Sequence, residues 1–427
     1  MAKLNLDEVS ASAGTGAQRS PQPSLRPLDT PDVNVATATG DGRRRFSIYS
    51  PMAAFDLVDE LDFLTRRSID QNVFFSPQFL VPAMPRLDER KVRLMVIRDE
   101  AAARSRLRLL MPFSIERSGL IGGPSAIRAW THPFGPLGTI LVDADDPDGT
   151  LASLFETLAR PDLRMPDVLI LPDLRVGEPM ADALLRVAAA NGLPVVRTAA
   201  TDRAAMVKGP DAATYLDRAL SPKRRRDAAR QRRILERRGE VTFEIAREPD
   251  AVRHALEEFL VLEASGWKGE VRSALVMDRY RSAFTREAVN ALAEKDRTRI
   301  FTLRAGGQPV ASLVAFVLGG EAFAWKTGYD ENFAAASPGL QLMLHVTEAL
   351  IADPDVARAD SCTVPDHTLM NRVWKERIDI ATYVVGLSPD AGARVEAAAK
   401  GVTAMKRSRN LARLMRERLQ SIRIKRR

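Results

Sequence analysis

The residue types able to do chemistry in this chain gather in its second half. Ser337, Pro338, Gly339 and Leu340 open a helical stretch. A serine can cap a helix, proline suits its first turn, and glycine lets a ligand approach the backbone. Free N–H groups at such an end attract phosphate oxygens, so this is a candidate anion site, with an ordinary capped helix as the plain alternative. Upstream, Glu263, Trp267 and Lys268 put an acid, an aromatic ring and a base close together after an amphipathic helix. Glu263 would serve an amine or hydroxyl as general base if burial tunes its pKa; a helix-terminal salt bridge beside a packed tryptophan is the other reading. Lys326, Tyr329 and Asp330 end the last of three β-rich runs, and Asp360 starts the next strand. His367, in VPDHT, is the histidine in a candidate active-site loop, whereas His132, His254 and His345 read as structural. Cys362 has no histidine at a nucleophile spacing and reads as buried packing.

Composition bounds what can hold these groups. A chain of 427 residues that is 45% hydrophobic exceeds one ordinary core, and two packed domains plus tails fit it. One cysteine excludes an internal disulfide, and no Cys/His cluster has zinc-ligand spacing, so no metal is expected. The first residues lack the apolar run of a signal peptide, and nowhere do roughly 18 apolar residues run on without a charge. The expected location is the cytoplasm. A net charge of +8 and a pI near 9.8 point to an anionic partner such as coenzyme phosphates, nucleic acid or an acidic membrane. The excess sits in two blocks, Lys223 to Arg238 and Lys400 to Arg427.

Residues 1–45 are rich in Ser, Thr, Gly, Pro and Asp, with almost no aromatics, and read as a disordered tail. A repeated pattern follows. The run Val92 to Phe113 matches Thr298 to Leu318: a β-rich stretch, a small-residue turn, then a second β-rich stretch. Each leads to a Trp-containing segment (Ala129 to Gly138; Ala324 to Phe333), a helical stretch, and a strand beside an aspartate (Asp167; Asp360). A duplicated unit explains this, giving expected domains at 46–210 and 211–389 and a basic amphipathic helix at 390–427. Within the second unit a helix, strand and further helices precede three strands punctuated by Gly306-Gly307 and Gly319-Gly320; helix, strand, short helix and strand follow. The order is α+β within an α/β chain.

At SPKRRRDAARQRRIL from Ser221, LEASGWKG at Leu262 to Gly269, GQPVAS at Gly307 to Ser312 and YDENFAAASPGLQL at Tyr329 to Leu342, the sequence resembles the GNAT acetyltransferase superfamily. Within it, the likeness is to the CelD/BcsL-like group associated with cellulose and exopolysaccharide biosynthesis. The resemblance covers most of Tyr215 to Leu387, the first half resembles that group's weaker N-terminal repeat, and FemAB-type aminoacyl transferases resemble it more distantly. The family's pyrophosphate loop reads Gln or Arg, two residues, Gly, one residue, then Gly or Ala. Here AAASPGLQL offers the single Gly339.

The resemblance implies tandem GNAT-like acyl-CoA acyltransferase domains, each a mixed, largely antiparallel sheet flanked by helices, with the first degenerate in its chemistry. It implies acetyl-CoA or another acyl-CoA as co-substrate, held by Lys326, Ser337, Pro338, Gly339 and Leu340. Trp267 and Lys268 would wall the acceptor pocket for a small-molecule or saccharide amine or hydroxyl. The acyl thioester would lie between two splayed strands, where Tyr329 protonates the leaving thiolate or bonds the acyl carbonyl and Asp330 orients it. Glu263, Asp360 or His367 would take the acceptor's proton. Two rivals stay open: a noncatalytic scaffold of polysaccharide synthesis, and a FemAB-like aminoacyl-tRNA-dependent transferase. The basic run from Lys223 lacks aromatics for base stacking, which disfavours nucleic acid. In the C-terminal stretch, Leu411, Leu414, Met415, Leu419 and Ile422 fall at helical spacing in a basic coat. That stripe either docks on the protein's own domain or attaches the protein peripherally to the anionic inner face of a membrane.

Overall fold

The computed structural model describes residues 32–37, 44–87, 92–101, 104–119 and 122–425. The first unit runs β1 (Val33–Ala36), β2 (Arg44–Tyr49), α1 (Val58–Arg67), α2 (Pro77–Leu87), β3 (Arg93–Ala101), β4 (Arg104–Arg117), β5 (Ser125–Ala129), β6 (Leu141–Val142), α3 (Pro147–Leu158), β7 (Val168–Arg175), α4 (Pro179–Ala190) and β8 (Val195–Val207). The second runs α5 (Ala212–Ala219), α6 (Pro222–Glu236), β9 (Val241–Ala246), α7 (Pro249–Ser265), α8 (Trp267–Glu270), α9 (Arg279–Ala293), β10 (Thr298–Ala305), β11 (Gln308–Leu318), β12 (Glu321–Tyr329), α10 (Pro338–Ala352), β13 (Arg358–Asp360), α11 (Met370–Val373) and β14 (Glu376–Gly386). A last helix, α12 (Gly392–Lys425), follows.

All the strands join one mixed, largely antiparallel sheet, ordered β1-β2-β3-β4-β5-β7-β14-β8-β13-β12-β11-β10-β9, with β6 beside β4. Parallel pairing occurs at two equivalent joints, β5 with β7 and β12 with β13. From β2 inward and from β9 inward the two halves read alike: four antiparallel strands, a parallel joint, then one more strand. That last strand is exchanged. β8 of the first unit pairs with β13 of the second, β14 of the second pairs with β7 of the first, and β8 and β14 pair along the seam from Glu376↔Ala205 to Val385↔Val195. The duplication read in the sequence is thus present as two interlocked units, and the boundary expected near residue 210 follows a strand belonging to the other unit's sheet.

Local sequence accounts for the meander. Gly306-Gly307 and Gly319-Gly320 all hold positive φ, the backbone that two-residue hairpin turns require. The segments they separate are almost wholly buried, as strands covered on both faces must be. The largest apolar core runs through both units: Phe74, Phe79 and Trp130 of the first share it with Phe259, Phe284, Phe316 and Trp325 of the second. A second cluster lies under α10, with Leu313, Leu342, Val346 and Trp374.

The seam is charged as well as apolar. Arg175, at the end of β7, donates to both oxygens of Glu321 at 2.6 Å and to Asp360 at 2.9 Å. Arg203, on β8, donates to Asp360 at 2.5 Å and to the Pro136 carbonyl at 2.8 Å. Each of these charged side chains is at most 6% exposed. Removing one member would strand the others without solvent.

Two expectations are corrected. The tail expected to be disordered to residue 45 contains β1, paired with β2, and Arg44 is buried. The Arg44 guanidinium joins Asp99 of β3 to Asp146 and Ser153 of the α3 region; residues 1–31 lie outside the described residues. The C-terminal helix forms, but it docks through Val395, Ala398, Ala399 and Val402 against Ala126, Val168, Ile170 and Val384. Leu411, Leu414 and Met415 of the expected stripe are exposed, and the side chains of Leu419 and Ile422 lie outside the described residues.

Burial alone would raise the Asp360 carboxyl, but Arg203 and Arg175 outweigh it and hold it at about 2. That lies below the unfolded value of roughly 3.9, so its contribution is whole above about pH 4 and fades as pH falls toward the folded value. Asp360→Asn should lower the unfolding free energy in urea by about 3–5 kcal/mol at neutral pH and flatten the acid limb of the stability curve. An unchanged urea midpoint would remove the seam from the account of stability. Deleting residues 1–45 should lower Tm by several degrees, since a cap of this kind is worth on the order of 1–2 kcal/mol.

Candidate active site

The site begins where a parallel joint stops. β12 and β13 pair only from Glu321↔Arg358 to Phe323↔Asp360, after which β12 continues to Tyr329 alone on that side. The chain beyond β13 turns away because the Cys362 N–H bonds the Asp360 carboxylate at 2.8 Å and Cys362 takes a left-handed φ of 53°. The strands therefore diverge into a wedge, and a cavity of about 530 Å³ opens there. One wall is Ala324 to Thr327 and Tyr329; the floor is Ser337 to Leu340; the other wall is Thr363 and His367 to Met370, with Arg372 beside them.

The β12 wall is kinked. Val314 faces Lys326 and Ala315 faces Ala324, so Trp325 is an extra residue, a bulge that re-aims its side chain. Its indole N–H donates to the Phe134 carbonyl at 2.7 Å, and the Lys326 ammonium lies 4.1 Å from the Phe134 ring centre. A loop of the first unit thereby braces this wall, which sequence reasoning did not anticipate. Only the strand exchange brings residue 134 near residue 325.

At the floor, Ser337 does not cap α10 with its side chain as expected. It takes a left-handed conformation, its hydroxyl accepts from Gln231 of α6 at 2.8 Å, and its carbonyl accepts from Leu340 and Gln341. Pro338 has no N–H, and the Gly339 N–H falls in the first turn, where a helix supplies no acceptor. A Cβ at 339 would meet Leu369 at an ordinary 3.4 Å, so larger side chains there would grow into the cavity. Arg372 lines the same space, is exposed and has no ion pair among the described residues. It was missed because a four-residue helix carries no periodic signal.

The structure gathers Lys326, Tyr329, Ser337, Pro338, Gly339, Leu340 and His367 around one cavity. Tyr329 is 41% exposed, and partial burial with the nearby Glu331 carboxylate pushes its hydroxyl pKa up, so it holds its proton at neutral pH. His367 lines the cavity wall and accepts the Met370 N–H at Nδ1 at 3.2 Å. The remaining expected acids lie elsewhere. Glu263 is buried at the end of α7, accepts the Leu275 N–H at 2.9 Å and packs its backbone against Gly328. Asp330 accepts from Asn332 and starts a short turn. Asp360 belongs to the buried seam, where Arg175 and Arg203 bond one of its oxygens and the Cys362 N–H the other. The side chains of Trp267 and Lys268 lie outside the described residues. Cys362 sits in the turn after β13 with its thiol pKa pushed well up by burial.

The equivalent place in the first unit is closed. β5 and β7 pair only at Ile127↔Leu169 and Arg128↔Ile170, but the chain itself fills the opening. Gly138 donates to Asp173 and lies so close to Pro172 that a Cβ would be 1.9 Å from its carbonyl oxygen. His132 stacks on Trp130 and accepts the Phe134 N–H, a structural role. Among the described residues no group of three or more His, Cys, Asp or Glu is placed to hold a metal ion.

Residues 222–367 match the family model of the acetyltransferase (GNAT) domain. No curated protein matches the sequence at a significant level. Among solved structures, FemX has a TM-score of 0.50 at 10% identity, over 76% of this chain and 95% of that one. The C-terminal domain of a protein assigned as a lysylphosphatidylglycerol synthetase in Agrobacterium fabrum has a TM-score of 0.47 at 14% identity, over 81% of this chain and 95% of that one. A tandem GNAT protein from the clavulanic acid biosynthesis pathway has a TM-score of 0.39 at 12% identity, over 81% of this chain and 99% of that one. At 10% identity the likeness to FemX is one of fold alone. The family-model match runs from α6 to the cavity wall at His367, within a mixed, largely antiparallel α/β fold.

Proposed function

We propose that the chain transfers an acyl group, acetyl in the simplest case, from acyl-CoA to an amine in the cavity between β12 and the 363–372 segment. One observation carries this reading: the parallel joint opens at the first turn of α10, where Gly339 and Arg372 line one space. Phosphates would bind at Gly339 and Arg372, since helix N-terminal N–H groups and an unpaired guanidinium both favour anions. The extended pantetheine arm would run along the edge of β12 that loses its partner after Phe323. In the reaction the amine nitrogen bonds to the acyl carbon and the carbon–sulfur bond breaks. The leaving thiolate takes the Tyr329 proton, and the amine's proton passes to water, which restores Tyr329. No carboxylate lines the cavity among the described residues, so a neutral amine, which needs no base to attack, suits it better than a hydroxyl. Positioning supplies most of the rate in such a site. The CelD/BcsL-like resemblance makes an amino sugar of cellulose or exopolysaccharide biosynthesis the acceptor to try first.

A second reading, transfer from aminoacyl-tRNA, is favoured by the outer face of α6. Lys223, Arg226, Arg230, Arg233 and Arg237 recur there every three or four residues, exposed and without an ion pair among the described residues. Tenfold or tighter preference for tRNA over acetyl-CoA, falling linearly with log salt, would select it.

Calorimetric titration with acetyl-CoA and longer acyl-CoAs tests the main reading, and absence of binding to all of them would leave the scaffold alternative. Gly339→Leu and Arg372→Ala should each weaken acyl-CoA binding by roughly tenfold with Tm unchanged. Tyr329→Phe should leave that affinity intact and lower kcat by about 10²-fold in a thiol-release assay. An unaltered kcat would assign the thiolate's proton to another donor.

A further inference from the structure

The protein's excess positive charge is local. Residues 401–427 contain ten Lys and Arg against the single acid Glu417, a net +9 that exceeds the +8 of the whole chain. All of this lies on or beyond α12, and the helix changes character along its length. Its first turns are clamped to the sheet by Val395, Ala398, Ala399 and Val402, by Thr403 against Thr198, and by Lys406, which donates to the Ala199 carbonyl. Farther on, Leu411, Leu414 and Met415 are 55%, 46% and 57% exposed. They share one side at i, i+3 and i+4, and the sequence repeats that spacing at Leu419 and Ile422. A monomer gains nothing by holding three large apolar side chains in water on successive turns, whereas isolated exposed residues are ordinary.

The position of this surface is specific. Arg413, between the exposed leucines, pairs with Asp366 at 3.0 Å, and Asp366 adjoins His367 on the cavity wall. Arg413 leaves the helix on the side opposite Leu411, Leu414 and Met415, so α12 is held beside the cavity's rim with its apolar stripe turned away from it.

We propose that the distal half of α12 is an interfacial helix for anionic lipid bilayers. The proposal is independent of the acyl-transfer reading. The charge selects this partner. Anionic headgroups complement the net +9, and the acyl region beneath them takes up Leu411, Leu414 and Met415; a nucleic acid would match the cations and leave the leucines in water. Among the described residues no helix is long and apolar enough to cross a membrane, so the contact is with the surface.

Co-sedimentation of the full chain with vesicles decides the matter. Binding is expected to equimolar phosphatidylcholine and phosphatidylglycerol, not to phosphatidylcholine alone, and to weaken at high salt. The triple variant Leu411→Ala, Leu414→Ala, Met415→Ala alters only exposed side chains and should lose roughly tenfold in vesicle affinity while its acetyl-CoA titration stays as in the parent. Full vesicle binding by the triple variant would overturn the proposal, because charge alone would suffice. So would absence of vesicle binding together with a concentration-dependent dimer that the triple variant abolishes, since a second copy would then cover the stripe. Preferential capture of RNA over anionic vesicles would also overturn it.

Discussion

The structure depends on the exchange of two strands, β8 and β14, and on the buried charges that the exchange brings together. Because each strand completes the other unit's sheet, neither unit has an intact sheet without its partner. Arg175, Arg203, Glu321 and Asp360 come from four different strands and meet only at this seam. Ionised side chains with almost no solvent are tolerable only when their geometry holds. The arrangement favours one strand register above alternatives, since a slip by one residue would carry these charges to the other face of the sheet.

That constraint also creates the site. Asp360 is held by two arginines, and its other oxygen holds the Cys362 N–H. The last paired residue of β13 and the first residue of the departing loop are thus tied to one carboxylate, which is why the parallel joint ends there and the wedge opens. Asp360 acts on the site as a positioning residue. The cavity is anchored at its apex to a fully buried carboxylate, and its rim belongs to a loop that α12 grips through Arg413.

The first unit contributes support. Its own wedge is filled by the Trp130 to Gly138 loop, and that same loop carries Phe134 to Trp325 and Lys326. Phe79, Phe134 and Phe284 meet the Trp325 ring edge-on, and Phe316 meets it tilted. Such pairs add about 0.5–1.5 kcal/mol each beyond their buried area. A duplicated fold has here turned one ligand site into a brace for the other.

The sequence by itself determined whatever depends on neighbours along the chain. The order of helices and strands in the second unit was legible from helical spacing and turn residues, and the glycine pairs marked the hairpins between β10, β11 and β12. The repeat was legible because each unit keeps the same order of elements, and Tyr329, Gly339 and His367 could be grouped because they flank the joint in that order. Tertiary structure alone decided which strand completes which sheet, because a pairing between residues 380 and 201 leaves no trace in local periodicity. It also decided the fates of the acidic groups. Glu263, Asp330 and Asp360 are equally able to take a proton as isolated side chains, and only their partners, a backbone N–H, a turn and two arginines, remove them from the cavity. Arg372 enters it for the converse reason: nothing in its sequence neighbourhood distinguishes it, and the wedge distinguishes it by leaving it without an ion pair among the described residues.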